Sequence, residues 1–400
     1  MNRKFIKPAI IGLGYVGFPI FLRISKKYKV TGYDHNLTRI KSLSKGIDNN
    51  DYPSKKFSKT NNMNFSTNPN CLSSANFYIV CVPTPIKKKN IPDLSYLLNA
   101  SNEIAKYLKK DDIVFFESTV FPGVTNKCTK LMEKISSLKN NKDFYVGYSP
   151  ERINPGDFGH TIEKITKIVA FESKTKLSTV KKVYSLVSNK IVYSKNIFEA
   201  ETSKVIENIQ RDLNIGLFNE IFMVCKKLNI NFYNVINLAS TKWNFIKFKP
   251  GLVGGHCLPV DPYYFSFLAK KHKMNTQIIL AGRKVNNGMV NYVVNQIKAE
   301  ILKIKSKKKI NVLLLGATYK PDVPDIRNSL SLIIRDKLKK QKIQICDFYD
   351  PIVSDFEAKK YNIKKKNVRF NKYDVIVLLV KHKVFESLLK NKSLNIINIF

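Results

Sequence analysis

The chain has 400 residues, enough for two or three domains that each bury a core. Its formal charge is +39, but sixty of the 69 basic residues are lysine and nine are arginine, spread along the whole length. That is the pattern of solvated lysine-rich faces, and it excludes a nucleic-acid site built on clustered arginine forks.

Arg3 and Lys4 before an apolar stretch from Phe5 to Leu22 have the look of a signal peptide. Three glycines and two prolines interrupt the stretch and no small-residue cleavage site follows, so a strand, a tight loop and a helix explain it better. Pro8 to Ile11 is the strand, and the helix runs to about Lys27. A second strand covers Lys29 to Tyr33 and ends at Asp34. Phe77 to Val82 and Ile113 to Glu117 are further buried strands. Strands alternating with helices imply a parallel sheet covered on both faces.

From about Glu199 to Lys227 the period changes. Ala200, Val205, Ile209, Leu213, Leu217, Ile221 and Val224 recur at helical spacing without a proline, which predicts one long helix joining two domains or forming a dimer seam. A helical region continues to about Leu302, and Lys303 to Lys309 is a lysine-rich surface linker. A second α/β unit follows, with strands at Ile310 to Leu315, Ile343 to Phe348 and Asp374 to Val380. The predicted fold is therefore α/β: two Rossmann-like parallel-sheet domains, 1–198 and 303–400, joined by a central helical domain, 199–302. No segment is long and apolar enough to span a bilayer. The six scattered cysteines form no C-x-x-C pair and no metal spacing, which fits a reducing cytoplasm and leaves no metal site.

The first chemical motif is Gly12-x-Gly14-x-x-Gly17. Gly12 permits the tight turn, Gly14 lets a pyrophosphate approach the backbone, and Gly17 lets helix and strand pack closely. Asp34 lies 22 residues after Gly12, at the end of the second strand. A carboxylate there binds ribose hydroxyls and repels a 2′-phosphate, so NAD is favoured over NADP.

The second motif is Gly254-Gly255-His256-Cys257-Leu258-Pro259-Val260-Asp261. Its thiol is placed to attack an aldehyde, giving a thiohemiacetal that can lose a second hydride to become a thioester. Asp261 lies four residues on, where it could act on the thiol or on water, and the glycine pair leaves amides free to approach the reacting oxygen. His256 has either a tuning or a packing role. Lys204, Asn208 and Arg211 share one helix face, as an oxyanion site or as a solvated polar stripe; spacing alone favours the stripe. Glu117-Ser118-Thr119 and the turn from Ser149 through Glu151, Arg152 and Asn154 to Gly156 follow apolar strands, where such sheets bind ligands.

These stretches resemble the UDP-glucose/GDP-mannose dehydrogenase family from end to end, nearest to its bacterial UDP-N-acetylhexosamine 6-dehydrogenases of surface-polysaccharide synthesis. The resemblance is carried by I-G-L-G-Y-V-G at Ile11, V-P-T-P at Val82, E-S-T-V at Glu117, G-Y-S-P-E-R-I-N-P-G-D at Gly147, K-V-I-E-N-I-Q-R-D-L-N at Lys204, F-K-P-G-L-V-G-G-H-C at Phe248 and Y-K-P-D-V-P-D-I-R-N-S at Tyr319. It implies that Cys257 is the nucleophile and that Lys204 and Asn208 hold the oxyanion. Asp261 then supports water or the thiol, Glu151 assists thioester hydrolysis, and Thr119 positions water. Gly12, Gly14, Val16, Gly17, Asp34, Arg39, Thr84, Thr119 and Arg327 would contact NAD. Arg152, Asn154, Arg211, Phe248, Gly251, Arg283 and Lys320 would contact a UDP-sugar. A homodimer is implied, with no nucleic-acid or membrane partner. The chain stops at Phe400, just after its last strand, whereas relatives run further, so the edge of the last sheet is expected to be thinly covered. Two other readings are a single-step hydroxyacid or 6-phosphogluconate type of dehydrogenase, which needs no cysteine, and a basic binding protein that keeps the fold without chemistry.

Overall fold

The computed structural model describes residues 5–50, 54–87, 90–154, 156–157, 159–304, 310–341 and 343–400. Arg3, Lys4, Pro155 and most of the lysine-rich linker lie outside them. The chain forms two compact units: Met1–Glu207 with Tyr263–Lys273, and Asn208–Pro262 with Met274–Phe400.

The first unit is built on eight strands: β1 (Pro8–Ile11), β2 (Val30–Tyr33), β3 (Met63–Ser66), β4 (Phe77–Val80), β5 (Ile113–Phe116), β6 (Tyr145–Tyr148), β7 (Lys167–Phe171) and β8 (Ile191–Ser194). Their order in the sheet is β8-β7-β6-β5-β4-β1-β2-β3. All pairs are parallel except β6 with β7. The chain leaves β1 toward β2 and β3, then returns to β4 on the other side of β1. The crevice beyond the carboxyl ends of β1 and β4 is thus the switch point where open α/β sheets take ligands.

β1, β4, β5 and β6 are buried at every position, as strands covered on both faces must be. Ile10, Ile79 and Phe115 align across β1, β4 and β5. They form one core with side chains of α1 (Gly17–Ser25), α2 (Leu37–Ser44) and α5 (Leu177–Val187). The alternate row, Ala9, Tyr78 and Val114, points to the other face, where α3 (Ser95–Tyr107) packs on α4 (Val124–Ser136).

The second unit contains most of α6 (Ile197–Lys227), which is one continuous helix, then α7 (Phe232–Ala239) and, after α8 (Asp261–Lys271), α9 (Gln277–Leu302). The predicted helical middle is broken: no helix or strand lies between Ala239 and Asp261. Pro250, Pro259 and the glycines at 251, 254 and 255 account for the break. Four parallel strands follow: β9 (Val312–Leu315), β10 (Ile345–Tyr349), β11 (Val375–Leu378) and β12 (Ile396–Asn398), in the order β10-β9-β11-β12. The core on one face joins this sheet to α9 and to α10 (Leu330–Lys340). The expected thin cover at the end of the chain is not found: Ile397 and Ile399 are buried, and the Phe400 ring lies 5.7 Å from that of Phe222. Among the described residues no helix is long and apolar enough to cross a membrane.

One glycine in the first sheet is set by its neighbour. A Cβ on Gly147 would lie 2.3 Å from Cζ of Phe115. That ring is fully buried and stacked on Phe77 and Phe171 at 5.8 and 5.5 Å, so it has nowhere to move. Gly147→Ala should lower unfolding free energy by about 1–3 kcal/mol, read as a lower midpoint at constant slope in urea.

Candidate active site

In the first unit the glycine loop follows β1. Gly12 has φ +90°, and a Cβ on it would lie 2.7 Å from the Cys81 carbonyl. A Cβ on Gly17 would lie 1.9 Å from the Gly12 carbonyl, so both positions exclude a side chain. Gly14 has open space around it, which leaves its backbone accessible to a pyrophosphate. Val16 is half-buried at the N-cap of α1. Asp34 accepts the Leu13 N–H at 2.8 Å and the Asn36 N–H at 2.9 Å, so the acid that ends β2 also pins the loop. Arg39 is buried. It donates to the Leu13 carbonyl at 2.8 Å, to Asp48 at 2.7 Å and to Asn49 at 2.6 Å, and lies 5.0 Å from the centre of the Phe18 ring. The loop thus has the shape and the exposed backbone that a dinucleotide needs.

The neighbouring strand ends are stitched together. Thr84 Oγ1 donates to the Thr119 carbonyl at 2.6 Å, Ser118 Oγ donates to the Val82 carbonyl at 2.7 Å, and the Tyr264 hydroxyl donates to the Thr84 carbonyl. Glu117, fully buried, meets Lys167 and accepts the Tyr184 hydroxyl at 2.8 Å. Burial lifts its carboxyl to about 7, against the pull of Lys167. Glu151 is buried beside Lys167, with 3.8 Å between Nζ and Oε2. Arg152 pairs with Glu207 of α6 and donates to the Thr166 carbonyl at 2.9 Å, while Asn154 is exposed. Lys204 is buried on α6, and no ion pair reaches it among the described residues, so its charge remains available to a ligand oxygen.

In the second unit Cys257 is exposed in the loop that leads into α8. Its carbonyl accepts the N–H groups of Val260 and Asp261, both at 2.9 Å. Asp261 is buried and accepts a hydrogen bond from the Asn208 side chain. Asn208, Asp261 and Cys257 are thereby brought together, while Arg211 is exposed on α6. The glycine pair differs from expectation. Gly255, at φ +85°, donates its N–H to the Asn328 carbonyl at 3.4 Å, and a Cβ there would lie 2.7 Å from the Tyr319 ring. A Cβ on Gly254 would lie 2.9 Å from the Asn328 carbonyl. These glycines permit close backbone packing.

His256 Nδ1 lies 3.9 Å from Asp325, and burial, followed by the cations Arg327 and Lys320, lowers the imidazole to about 4. It is therefore neutral at pH 7. Burial opposes ionisation of Asp325, but the bonds from Arg327, the shortest 2.5 Å, hold its carboxyl below the usual range. Lys320 Nζ lies 5.8 Å from the centre of the Tyr319 ring. Phe248 packs 5.9 Å from Phe218, and Gly251, with open space around its Cα, exchanges hydrogen bonds of 2.7 and 3.1 Å with the Asn219 side chain.

A doubly wound sheet whose first strand opens onto a dinucleotide-shaped glycine loop defines a nicotinamide-dependent dehydrogenase. The chain belongs to the UDP-glucose/GDP-mannose dehydrogenase family: it matches the family's NAD binding domain over residues 6–188, its central domain over 198–288 and its UDP binding domain over 313–397. It is thus an NAD-dependent oxidoreductase of nucleotide sugars. Protein CapL of Staphylococcus aureus is 42% identical over 96% of this chain and 91% of its own length. The UDP-N-acetyl-D-glucosamine 6-dehydrogenase of Pseudomonas aeruginosa is 41% identical over 96% of this chain and 92% of its own. The solved UDP-D-ManNAc dehydrogenase of Pyrococcus horikoshii superposes with a TM-score of 0.84 at 28% identity, covering 96% and 91% of the two chains.

A buried polar row beneath α6 has no trace in local sequence. Arg283 is 2% exposed and donates to Asp212 at 2.5 Å and to Asn287 at 2.5 Å. Asn286 donates to Asp212 and accepts from Asn219, each at 2.8 Å. Burial raises the Asp212 carboxyl in spite of Arg283. Removing one partner of a buried pair strands the other, so Arg283→Met should cost about 3–5 kcal/mol of unfolding free energy, measured by urea denaturation. Arg283→Met with Asp212→Leu should recover much of that loss.

Proposed function

We propose that the enzyme oxidises C6 of a UDP-linked N-acetylhexosamine, gluco or galacto, from alcohol to carboxylate through a Cys257 thioester, making a precursor for surface polysaccharide in the cytoplasm. The observation that carries this reading is the exposed Cys257 at the entry to α8, beside the bonded pair Asn208 and Asp261. The sugar is supported by the N-acetylglucosamine enzyme at 41% identity, against 32% for the UDP-N-acetyl-D-mannosamine dehydrogenase of Pyrococcus horikoshii in the same comparison.

Residues 1–198 would carry NAD, 199–302 the reacting side chains and 303–400 the UDP. Gly12, Gly14, Val16, Gly17, Asp34, Arg39, Thr84, Thr119 and Arg327 would hold the cofactor. Bound NAD accepts a hydride in each of two successive oxidations. Lys204 and Asn208 hold the sugar oxygen as it gains negative charge. The Cys257 sulfur adds to the aldehyde carbon, and loss of a hydride and a proton leaves the thioester. Thr119 orients a water, and Glu151 takes its proton as the O–C bond forms and the C–S bond breaks; Asp261 supports the thiol or the water. Arg152, Asn154, Arg211, Phe248, Gly251 and Lys320 would grip the UDP-sugar, whereas Arg283, expected from the sequence as a substrate contact, is too buried to touch it and would act only by ordering the Asp212, Asn286 and Asn219 bonds that hold Gly251.

A homodimer is part of the same reading. Leu217 and Val224 on α6 and Leu228 just after its end, at i, i+7 and i+11, are 54%, 52% and 61% exposed, an apolar stripe that a second copy would cover. Val224→Glu should shift the mass in solution to that of a monomer by light scattering. Retention of the wild-type mass would remove this stripe from the interface.

The mechanism is tested at the nucleophile. Wild type should release two NADH per acid formed and show a trapped thioester by mass spectrometry after acid quench. Cys257→Ser should slow acid formation by at least ~10³-fold while still binding NAD. Acid formation at a comparable rate would show that no acyl group passes through this sulfur. A panel of UDP-sugars assayed for NADH release decides between the N-acetylhexosamines and UDP-glucose or UDP-N-acetylmannosamine.

A further inference from the structure

Two buried charged residues lie against Glu151 and take no part in the steps above. Lys167 opens β7 and is 4% exposed. Its Nζ meets the Glu117 carboxylate, donates to the Pro150 carbonyl at 3.2 Å and lies 3.8 Å from Glu151 Oε2. Glu117 follows β5 and is fully buried. Glu151 Oε1 accepts the Ile153 N–H, whereas Oε2 is buried and accepts no hydrogen bond among the described residues. The other titratable groups around the cluster are Tyr184 of α5, Cys81 after β4, and Arg152, which is paired with Glu207 of α6. Burial, reinforced by Glu117, pushes Tyr184 and Cys81 far up, so both stay neutral. Two carboxyl groups therefore share one buried ammonium. Such a cluster cannot ionise both acids freely, and it titrates as a unit.

We propose that Lys167 is a positioning residue for Glu151: held in place by Glu117, its ammonium faces Glu151 Oε2 and aligns that carboxylate for thioester hydrolysis, and the charge balance of the three-residue cluster sets the pH at which that step turns on. This rests on the reading of Glu151 as the group that takes the proton from water. Glu151 receives that proton as the thioester C–S bond breaks and returns it to the Cys257 sulfur; Lys167 and Glu117 exchange none. Burial lifts the Glu117 carboxyl to about 7, so the cluster changes charge within the neutral range.

Single-turnover decay of the thioester, followed by acid quench and mass spectrometry across pH, tests this. Lys167→Met leaves two buried carboxyls facing each other, so the cluster keeps a proton to higher pH. The midpoint of the decay profile should rise by about one pH unit or more. Glu117→Gln leaves the ammonium to Glu151 alone, and the midpoint should fall. A purely structural role would not move the two profiles in opposite directions. If Lys167→Met does not fold, the downward shift in Glu117→Gln carries the test alone. Midpoints within about 0.3 of wild type in the variants that fold would overturn the role of Lys167. Glu151→Gln judges the underlying reading separately: persistence of the thioester upholds it, and wild-type decay sinks both.

Discussion

The bond from Asn208 to Asp261 is the constraint on which the proposed nucleophile depends. Asn208 projects from α6, and Asp261 is the first residue of α8. The Asp261 N–H in turn holds the Cys257 carbonyl at 2.9 Å. The backbone that carries the thiol is thus tied through two hydrogen bonds to the long helix α6, although it sits in a stretch without helix or strand. An exposed loop cysteine would otherwise wander through rotamers and backbone states. In the proposed mechanism, ordering it in advance would remove an entropic cost that otherwise falls on each turnover. The same bond uses one of the two amide hydrogens of Asn208 and leaves the other for the substrate oxygen in the proposed mechanism.

Buried charge recurs in both units, often in paired groups. Glu117, Lys167 and Glu151 form one group, and Asp212 with Arg283 forms another. A buried pair gains little stability over well-packed apolar residues of the same volume, because desolvation offsets most of the attraction. What it supplies is geometry: each partner accepts only one arrangement without stranding the other. The Asp212 group sits under α6 and, with Asn286 and Asn219, carries that order to the Gly251 backbone. A loop proposed to grip the nucleotide sugar is thereby referred to the same helix that carries Asn208.

Legibility from sequence follows the range of the interactions. The glycine loop, Asp34 and the first parallel strands were readable because turn, strand and helix are neighbours in the chain and each carries its own period. α6 was readable for the same reason. The edge strands β3 and β8 were not, because partial exposure blurs their pattern. Lys167 was hidden inside the strand K-I-V-A-F, where a lone lysine reads as an edge residue. Asp212 with Arg283 and Gly255 with Asn328 are 71 and 73 residues apart, so nothing local announces either pair. The glycine pair before Cys257 was seen but misjudged: flexible amides were expected, whereas Asn328 and Tyr319 need the space.

His256 shows how a neighbour of the nucleophile acquires its role from surroundings rather than from position. An imidazole next to a thiol invites the reading of a partner that carries positive charge. Burial and the cations Arg327 and Lys320 instead drive it to about 4, with Asp325 opposing. At neutral pH the positive charge on this side of the unit therefore comes from guanidinium and ammonium groups alone, and neither titrates there. Attraction of an anionic diphosphate would then stay constant through the neutral range. Burial has moved the Glu117 carboxyl into that range.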